Sequence, residues 1–265
     1  MTIRIICLAI LLLLAGPPGS PALAADDKAG SVRLTILENE GLLIRSGGAG
    51  ILIDAFIDTG MAESDMLAGR PPFTSIKLAI VTHPHREHFD ATTAGTFLKN
   101  NIETILVSTE EVIQSIRDDY PGHAGIQGRL REIRPNEAGI TSMSIPGIRL
   151  DSMLFSHEAS EFYPERVLSH IIHLSGKTIL YIGDSEMRAE NWKPYDLASQ
   201  DIDLAILPLW LFKEASVRAI IDELIAPEKV IVAQIPAQGS GMVSELIEKF
   251  PDVVFLQEPM ASVEF

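Results

Sequence analysis

Apolar residues recur along the chain in short blocks, and the period of each block indicates which element it builds. Val32 to Leu37 alternates and predicts a strand, followed by turn chemistry at Glu38-Asn39-Glu40-Gly41. Leu42 to Arg45 and Ile51 to Asp54 predict a strand pair across Ser46-Gly47-Gly48-Ala49-Gly50, and Ile76 to Val81 is an apolar run broken only at Lys77, as in a buried strand. Further strands are expected at Thr104 to Val107, Leu130 to Ile133, Ser142 to Ile145 and Ile148 to Leu154. Val167 to Leu174 and Lys177 to Ile182 read as a hairpin about Ser175-Gly176, with later strands at Leu204 to Leu207, Val230 to Ala233 and Val253 to Leu256. Helical spacing appears at Ala91 to Lys99, capped by Asp90, and at Glu110 to Asp119, with Val112, Ile113 and Ile116 on one face. It returns at Lys213 to Ile225, stopped by Pro227, and at Met242 to Phe250. Asp58 to Pro72, Tyr120 to Gln127 and Glu161 to Arg166 lack a period and read as loops, the first of them lying over the site.

These elements form two halves, each a meander of strands followed by helices. The expected class is α/β (α+β): a four-layer αββα sandwich whose site lies where strand ends of both halves meet. Residues 1–24 stand apart. Arg4, the apolar run Ile5 to Ala15 and the small-residue site Ala22-Leu23-Ala24 read as a secretory signal peptide, which implies a periplasmic or secreted protein. That run is short of the roughly 20 residues a membrane span needs, and no later segment predicts one. Residues 25–265 then make a single domain.

Charge narrows the partners. The formal net charge is −15, and losing Arg4 with the leader takes it to −16. Such a surface repels nucleic acid and anionic membranes, and leaves a small-molecule substrate as the expected partner. The only cysteine, Cys7, falls in the leader, so the mature chain offers neither a disulfide nor a thiolate.

The candidate chemistry sits in Thr82-His83-Pro84-His85-Arg86-Glu87-His88-Phe89-Asp90, directly after the buried run Ile76 to Val81. His83 and His85 project to one side of an extended segment, and His88 follows where the chain can bend back toward them. Neutral imidazoles converging on one point suit a divalent transition metal such as zinc. The plainer alternative is a histidine-rich surface loop, which seldom caps a buried strand and then opens a helix.

The stretch resembles the T-H-x-H-x-D-H signature of the metallo-β-lactamase superfamily, with Glu87 where that family has Asp. The resemblance extends over nearly the whole mature chain. It implies a third histidine at His157, a bridging carboxylate at Asp184 in Tyr181-Ile182-Gly183-Asp184-Ser185, and a strand-end Asp54 that supports the metal loop from behind. It also implies a catalytic zinc on His83, His85 and His157, a metal-bound hydroxide as nucleophile, and Asp184 holding it. A second ion would use Glu87, His88, Asp184 and the position of Gln234, where the family places histidine. Glu87 reaches about 1.5 Å further than Asp, against ligand distances held to about 0.2 Å. Gln234 offers an amide oxygen, a weaker zinc donor than imidazole. Glu87 and Asp184 are the candidate catalytic carboxylates. His123, His170 and His173 read as solvated or strand-packing residues.

Three functions follow as expectations. The first is an exported metal-dependent hydrolase acting on an ester, lactone or phosphodiester, closest to the lactonase-like branch by Glu38 to Ile44, Leu207-Pro208-Leu209 and Lys213-Glu214-Ala215. The second is a fold member that has lost turnover and serves as a metal-binding or interaction module. The third is a β-lactamase, which the absent final histidine argues against.

Overall fold

The structure, a computed structural model, describes residues 30–37, 40–57, 63–135, 139–159, 161, 165–214, 216–235 and 240–265. The leader lies outside the described residues. In the amino-terminal half the strands are β1 (Arg33–Ile36), β2 (Leu42–Ser46), β3 (Ala49–Ile53), β4 (Ile76–Ile80), β5 (Ile105–Ser108) and β6 (Leu130–Glu132). The second half holds β7 (Thr141–Ile145), β8 (Ile148–Ser156), β9 (Arg166–Leu174), β10 (Lys177–Tyr181), β11 (Leu204–Pro208), β12 (Lys229–Ala233), β13 (Val253–Phe255) and β14 (Ser262–Glu264). They form two seven-stranded sheets, ordered β14-β1-β2-β3-β4-β5-β6 and β13-β12-β11-β10-β9-β8-β7.

Strand alternation explains why the apolar runs are continuous. Ile51 and Ile53 of β3 and Leu204 and Ile206 of β11 face the layer between the sheets. Leu52 turns outward to the first helical layer, while Ala205 and Leu207 turn to the second. With both faces covered, no position on these strands can be polar. The outer layers are α1 (Glu63–Leu67), α2 (Ala91–Asn100) and α3 (Glu110–Asp119) on one side. On the other are α4 (Ala189–Trp192), α5 (Val217–Ala219) and α6 (Ser240–Lys249). The result is the expected αββα sandwich. Asp90 caps α2 as its position implies, accepting from Thr93 N at 2.7 Å.

Three elements depart from expectation. α1 lies inside the stretch read as loop, held by the burial of Met66. The single helix expected over Lys213 to Ile225 is instead a 3₁₀ turn (Leu209–Lys213), α5, and a π turn (Ile220–Ile225). Its closure is the i to i+5 bond from Ala226 N to Ile221 O at 2.7 Å, with Ala226 left-handed at φ 51. Pro227 stops the helix here, since it has no N–H to continue the bonding. β14 carries no apolar alternation strong enough to announce it, yet it pairs antiparallel with β1.

Trp192 anchors the second helical layer. It is fully buried, donates Nε1–H to Glu186 O at 2.7 Å, and stacks on Phe155 with centroids 3.9 Å apart and planes 9° apart. Trp192→Ala is expected to cost about 3–5 kcal/mol. Ile102→Ala, at a side chain 75% exposed, should stay within about 0.5 kcal/mol. Denaturant midpoints of the two variants check this, and a Trp192→Ala loss below 1 kcal/mol contradicts the packing described.

Candidate metal centre

The carboxyl ends of β3, β4, β8, β10 and β12 meet at one edge of the sandwich, and each releases a polar residue there: Asp54, His83, His157, Asp184 and Gln234. After β4 the chain runs through Thr82 and then turns back on itself. His88 N and Phe89 N both donate to His85 O at 3.0 Å, which folds the third ring toward the first two. The ring centroids of His83 lie 4.4 Å from His85, 4.2 Å from His88 and 5.2 Å from His157.

His157 reaches the cluster because the ends of β8 and β10 zip together. Glu158 N donates to Asp184 O at 2.8 Å, and Glu186 N to Ser156 O at 3.0 Å. Gly183 makes the tight turn before Asp184 with φ 55, and a Cβ there would lie 3.2 Å from Thr82 Cγ2. Glycine is favoured on both counts.

Two groups of donor atoms lie within 4.8 Å of one another: His83, His85 and His157, and His83, His88 and Asp184. His83 Nε2 is 3.0 Å from His85 Nδ1 and 3.9 Å from Asp184 Oδ2, and His157 Nε2 is 3.6 Å from that oxygen. Tetrahedral bonds of about 2.0–2.1 Å would space donors about 3.3 Å apart, so these residues fit a transition-metal ion. One detail has to relax. Ala159 N donates to His157 Nδ1 at 3.1 Å, which puts the proton of a neutral ring on Nε2. Giving Nε2 to a metal moves that proton to Nδ1 and breaks the Ala159 bond.

The second layer is extensive. Asp54, wholly buried, accepts from Thr82 N and Thr82 Oγ1 at 2.8 Å each and from Tyr181 Oη at 3.0 Å. Its Oδ2 lies 3.2 Å from His88 Nδ1. Thr82 Oγ1 is in turn 3.0 Å from His83 Nδ1, and Glu165 Oε2 is 3.3 Å from His85 Nε2. Each motif ring is thus oriented through the nitrogen it turns away from the cluster, the arrangement that fixes a ligand's tautomer.

Burial, then the charge on His88, pushes His83 down to about 2, so its ring is neutral. Burial opposes protonation of His88 as well, but the charge of Asp54 and the bond to Asp184 raise it well above its ordinary value. Burial would raise Asp184, yet hydrogen bonds from His157 and His88 hold it well below the usual carboxylate range.

Not every expected residue joins the cluster. Glu87 points outward with its side chain 53% exposed, and its Oε1 is 3.8 Å from His85 Nδ1. Gln234 does face Asp184, donating Nε2–H to Oδ1 at 2.8 Å. The remaining histidines stay outside. His170 is buried against Ser152 Oγ at 3.0 Å, His173 meets Asp151 at 3.1 Å, and His123 Nδ1 is 3.3 Å from Tyr120 O.

Sequence reasoning missed Glu165 and Glu40. Glu165 sat in a segment read only as polar loop. Glu40, read as turn chemistry, has Oε2 buried with no hydrogen-bond partner. Burial, opposed by the charge of His88 and reinforced by Asp184 and Asp54, pushes it up to about 8. Neither has a spacing that would single it out. A cleft of about 760 Å³ begins at Glu158 and Glu186, beside His157 and Asp184, and runs past Trp210 to Glu223 on the π turn.

Tyr181→Phe removes one of the Asp54 donors and leaves the carboxylate buried. The expected cost is about 1–3 kcal/mol, read from the thermal midpoint of the metal-free protein. An unchanged midpoint would show that water replaces the phenol.

No protein-family model matches the sequence, and no curated protein does either. Solved structures do resemble the chain. Igni18, a metallo hydrolase from the archaeon Ignicoccus hospitalis KIN4/I, is 16% identical, with TM-score 0.62 over 89% of this chain and 98% of its own. YhfI from Bacillus subtilis, a metallo-β-lactamase fold protein, is 14% identical, with TM-score 0.62 over 89% of this chain and 99% of its own. CmlA from Streptomyces venezuelae, a diiron β-hydroxylase, is 12% identical, with TM-score 0.58 over 88% of this chain and 54% of its own. At these identities the likeness concerns architecture, and the names of two of them, a hydrolase and a hydroxylase, carry different reactions. Two seven-stranded sheets, their flanking helices and these superpositions agree: the chain has the metallo-β-lactamase fold.

Proposed function

We propose that this chain is an exported metal-dependent hydrolase that holds zinc on His83, His85 and His157 with Asp184 beside it. Its substrate would be a small ester, lactone or phosphodiester. The observation that carries the reading is the convergence of these donors at the strand ends, at spacings that suit one ion. The hydrolase names borne by Igni18 and its like support the reaction class. When bound, zinc supplies Lewis acidity and a hydroxide nucleophile near neutral pH.

The chain's residues supply the rest. His83 is neutral and so free to give its lone pair. Asp184, ionised and presenting Oδ2 to the histidines, would orient the attacking oxygen. Glu158 and Glu186, which line the cleft, and the net charge of −15 disfavour a polyanionic substrate.

A second reading is a metal-holding module without turnover. It is favoured by Glu87 facing solvent and by Gln234 turning its amide nitrogen to Asp184.

Single His83, His85 or His157→Ala changes are each expected to abolish most zinc uptake while far-ultraviolet circular dichroism stays native, with His123→Ala as the unaffected control. Asp184→Asn should retain more zinc than these and lose roughly 10²-fold or more in rate. Elemental analysis of protein never exposed to a nickel column also identifies the metal, and iron found in place of zinc would redirect the reading toward oxidation. A cephalosporin, a lactone and bis(4-nitrophenyl) phosphate form the activity panel. Hydrolysis of none by metal-loaded protein favours the module, and hydrolysis of the cephalosporin alone favours a β-lactamase. Export is checked separately: intact mass of the extracytoplasmic protein should place its first residue at Ala25 or one position either side. A membrane-bound species that keeps Met1 to Ala24 would refute it.

A further inference from the structure

The two donor groups compete for one atom. Both contain His83, whose Nε2 faces His85 and Asp184 while its Nδ1 faces Thr82. An imidazole nitrogen has a single in-plane lone pair to give. Once His83, His85 and His157 close on an ion, the other group retains only His88 and Asp184. Two donors fall short of the three protein ligands that an open catalytic zinc keeps. Glu87 does not make up the number: its side chain is half exposed, and its carboxylate is not among the donors that lie within 4.8 Å of one another.

Gln234 lies beside the remaining pair. It follows β12 in a left-handed conformation, φ 56, which is costly for a residue with a Cβ. Its Nε2–H donates to Asp184 Oδ1 at 2.8 Å, and its own Oε1 is buried with no hydrogen-bond partner. A glutamine present only for stability would satisfy both ends of its amide. Here one end is left unsatisfied and the other holds Asp184. An amide nitrogen has no lone pair for a metal, since it is delocalised into the carbonyl. Asp184 is therefore divided: Oδ1 belongs to Gln234, while Oδ2 faces His88 at 3.3 Å, His157 at 3.6 Å and His83 at 3.9 Å.

We infer that Gln234 is a positioning residue that holds Asp184 by one oxygen and commits the centre to a single metal ion. The inference rests on the proposed metal centre.

The purified chain is freed of metal, reloaded with excess zinc, gel-filtered and counted for bound ions. A parallel sample takes cobalt(II), whose visible absorption reports coordination. The wild type is expected to hold one ion. Gln234→His adds a nitrogen donor beside His88 and Asp184 and should raise the count toward two. Gln234→Leu removes the N–H at similar size and should still hold one ion, but with an altered cobalt spectrum and zinc affinity weaker by roughly tenfold. Two ions on the wild type overturn the inference and leave the hydrolase reading intact. A leucine variant with the wild-type spectrum and affinity within twofold overturns it as well. Should that variant fail to fold, the histidine variant decides alone, and an unchanged count of one there overturns the inference. A wild type that keeps its native circular dichroism yet binds no ion removes the metal centre itself, and this inference with it.

Discussion

Asp54 has no contact with solvent, so its surroundings must do all the work of stabilising its charge. They do so from three directions at once. Thr82 gives a backbone and a hydroxyl donor from the motif loop, Tyr181 gives a phenol from the opposite sheet, and His88 lies against Oδ2, which the hydroxyl and the phenol also reach. Because Asp54 ends β3 and Tyr181 ends β10, one carboxylate couples the two halves across the layer between them. Thr82 adds a second tie, accepting from Leu168 N at 3.1 Å. The histidines are held by this lattice, and their placement follows from a buried charge that cannot be left unmatched.

Much of this was legible because burial on both faces forces predominantly apolar runs, and the strands that lead to Asp54, His83 and Gln234 are such runs, with lysine only near the start of the latter two. The motif itself was legible because three imidazoles within six residues have few other uses. What stayed hidden has no periodic signature. Glu165 reaches His85 from a loop whose path depends on the rest of the fold, and Glu40 is a turn residue until the sandwich closes over it. The orientation of Gln234 was equally out of reach, since composition cannot tell which end of an amide meets a carboxylate. Glu87 shows the converse case. Its type and place in the motif suit a ligand, but the turn at His85 that brings His88 inward sends Glu87 outward.

The site also shows how burial assigns roles to chemically similar groups. His83 and His88 are both enclosed, yet one is driven neutral and the other toward protonation. The difference is the pair of carboxylates that face His88, where His83 meets a hydroxyl, three other rings and a single, more distant carboxylate oxygen. Asp184, slightly more open, stays ionised because histidines donate to it. Environment, more than residue type, distributes charge among these groups.

β14 gives the molecule an unusual dependence on timing. Arg33 pairs with Glu264 across 231 positions, and Val32 and Phe265 exchange backbone bonds at 3.0 Å. As the chain emerges, β1 therefore remains an open sheet edge until nearly everything else has been made. Contacts this distant in sequence close slowly, because the entropy of joining the ends is spent before they stabilise anything. The same delay leaves an exposed strand edge for any neighbouring chain to meet.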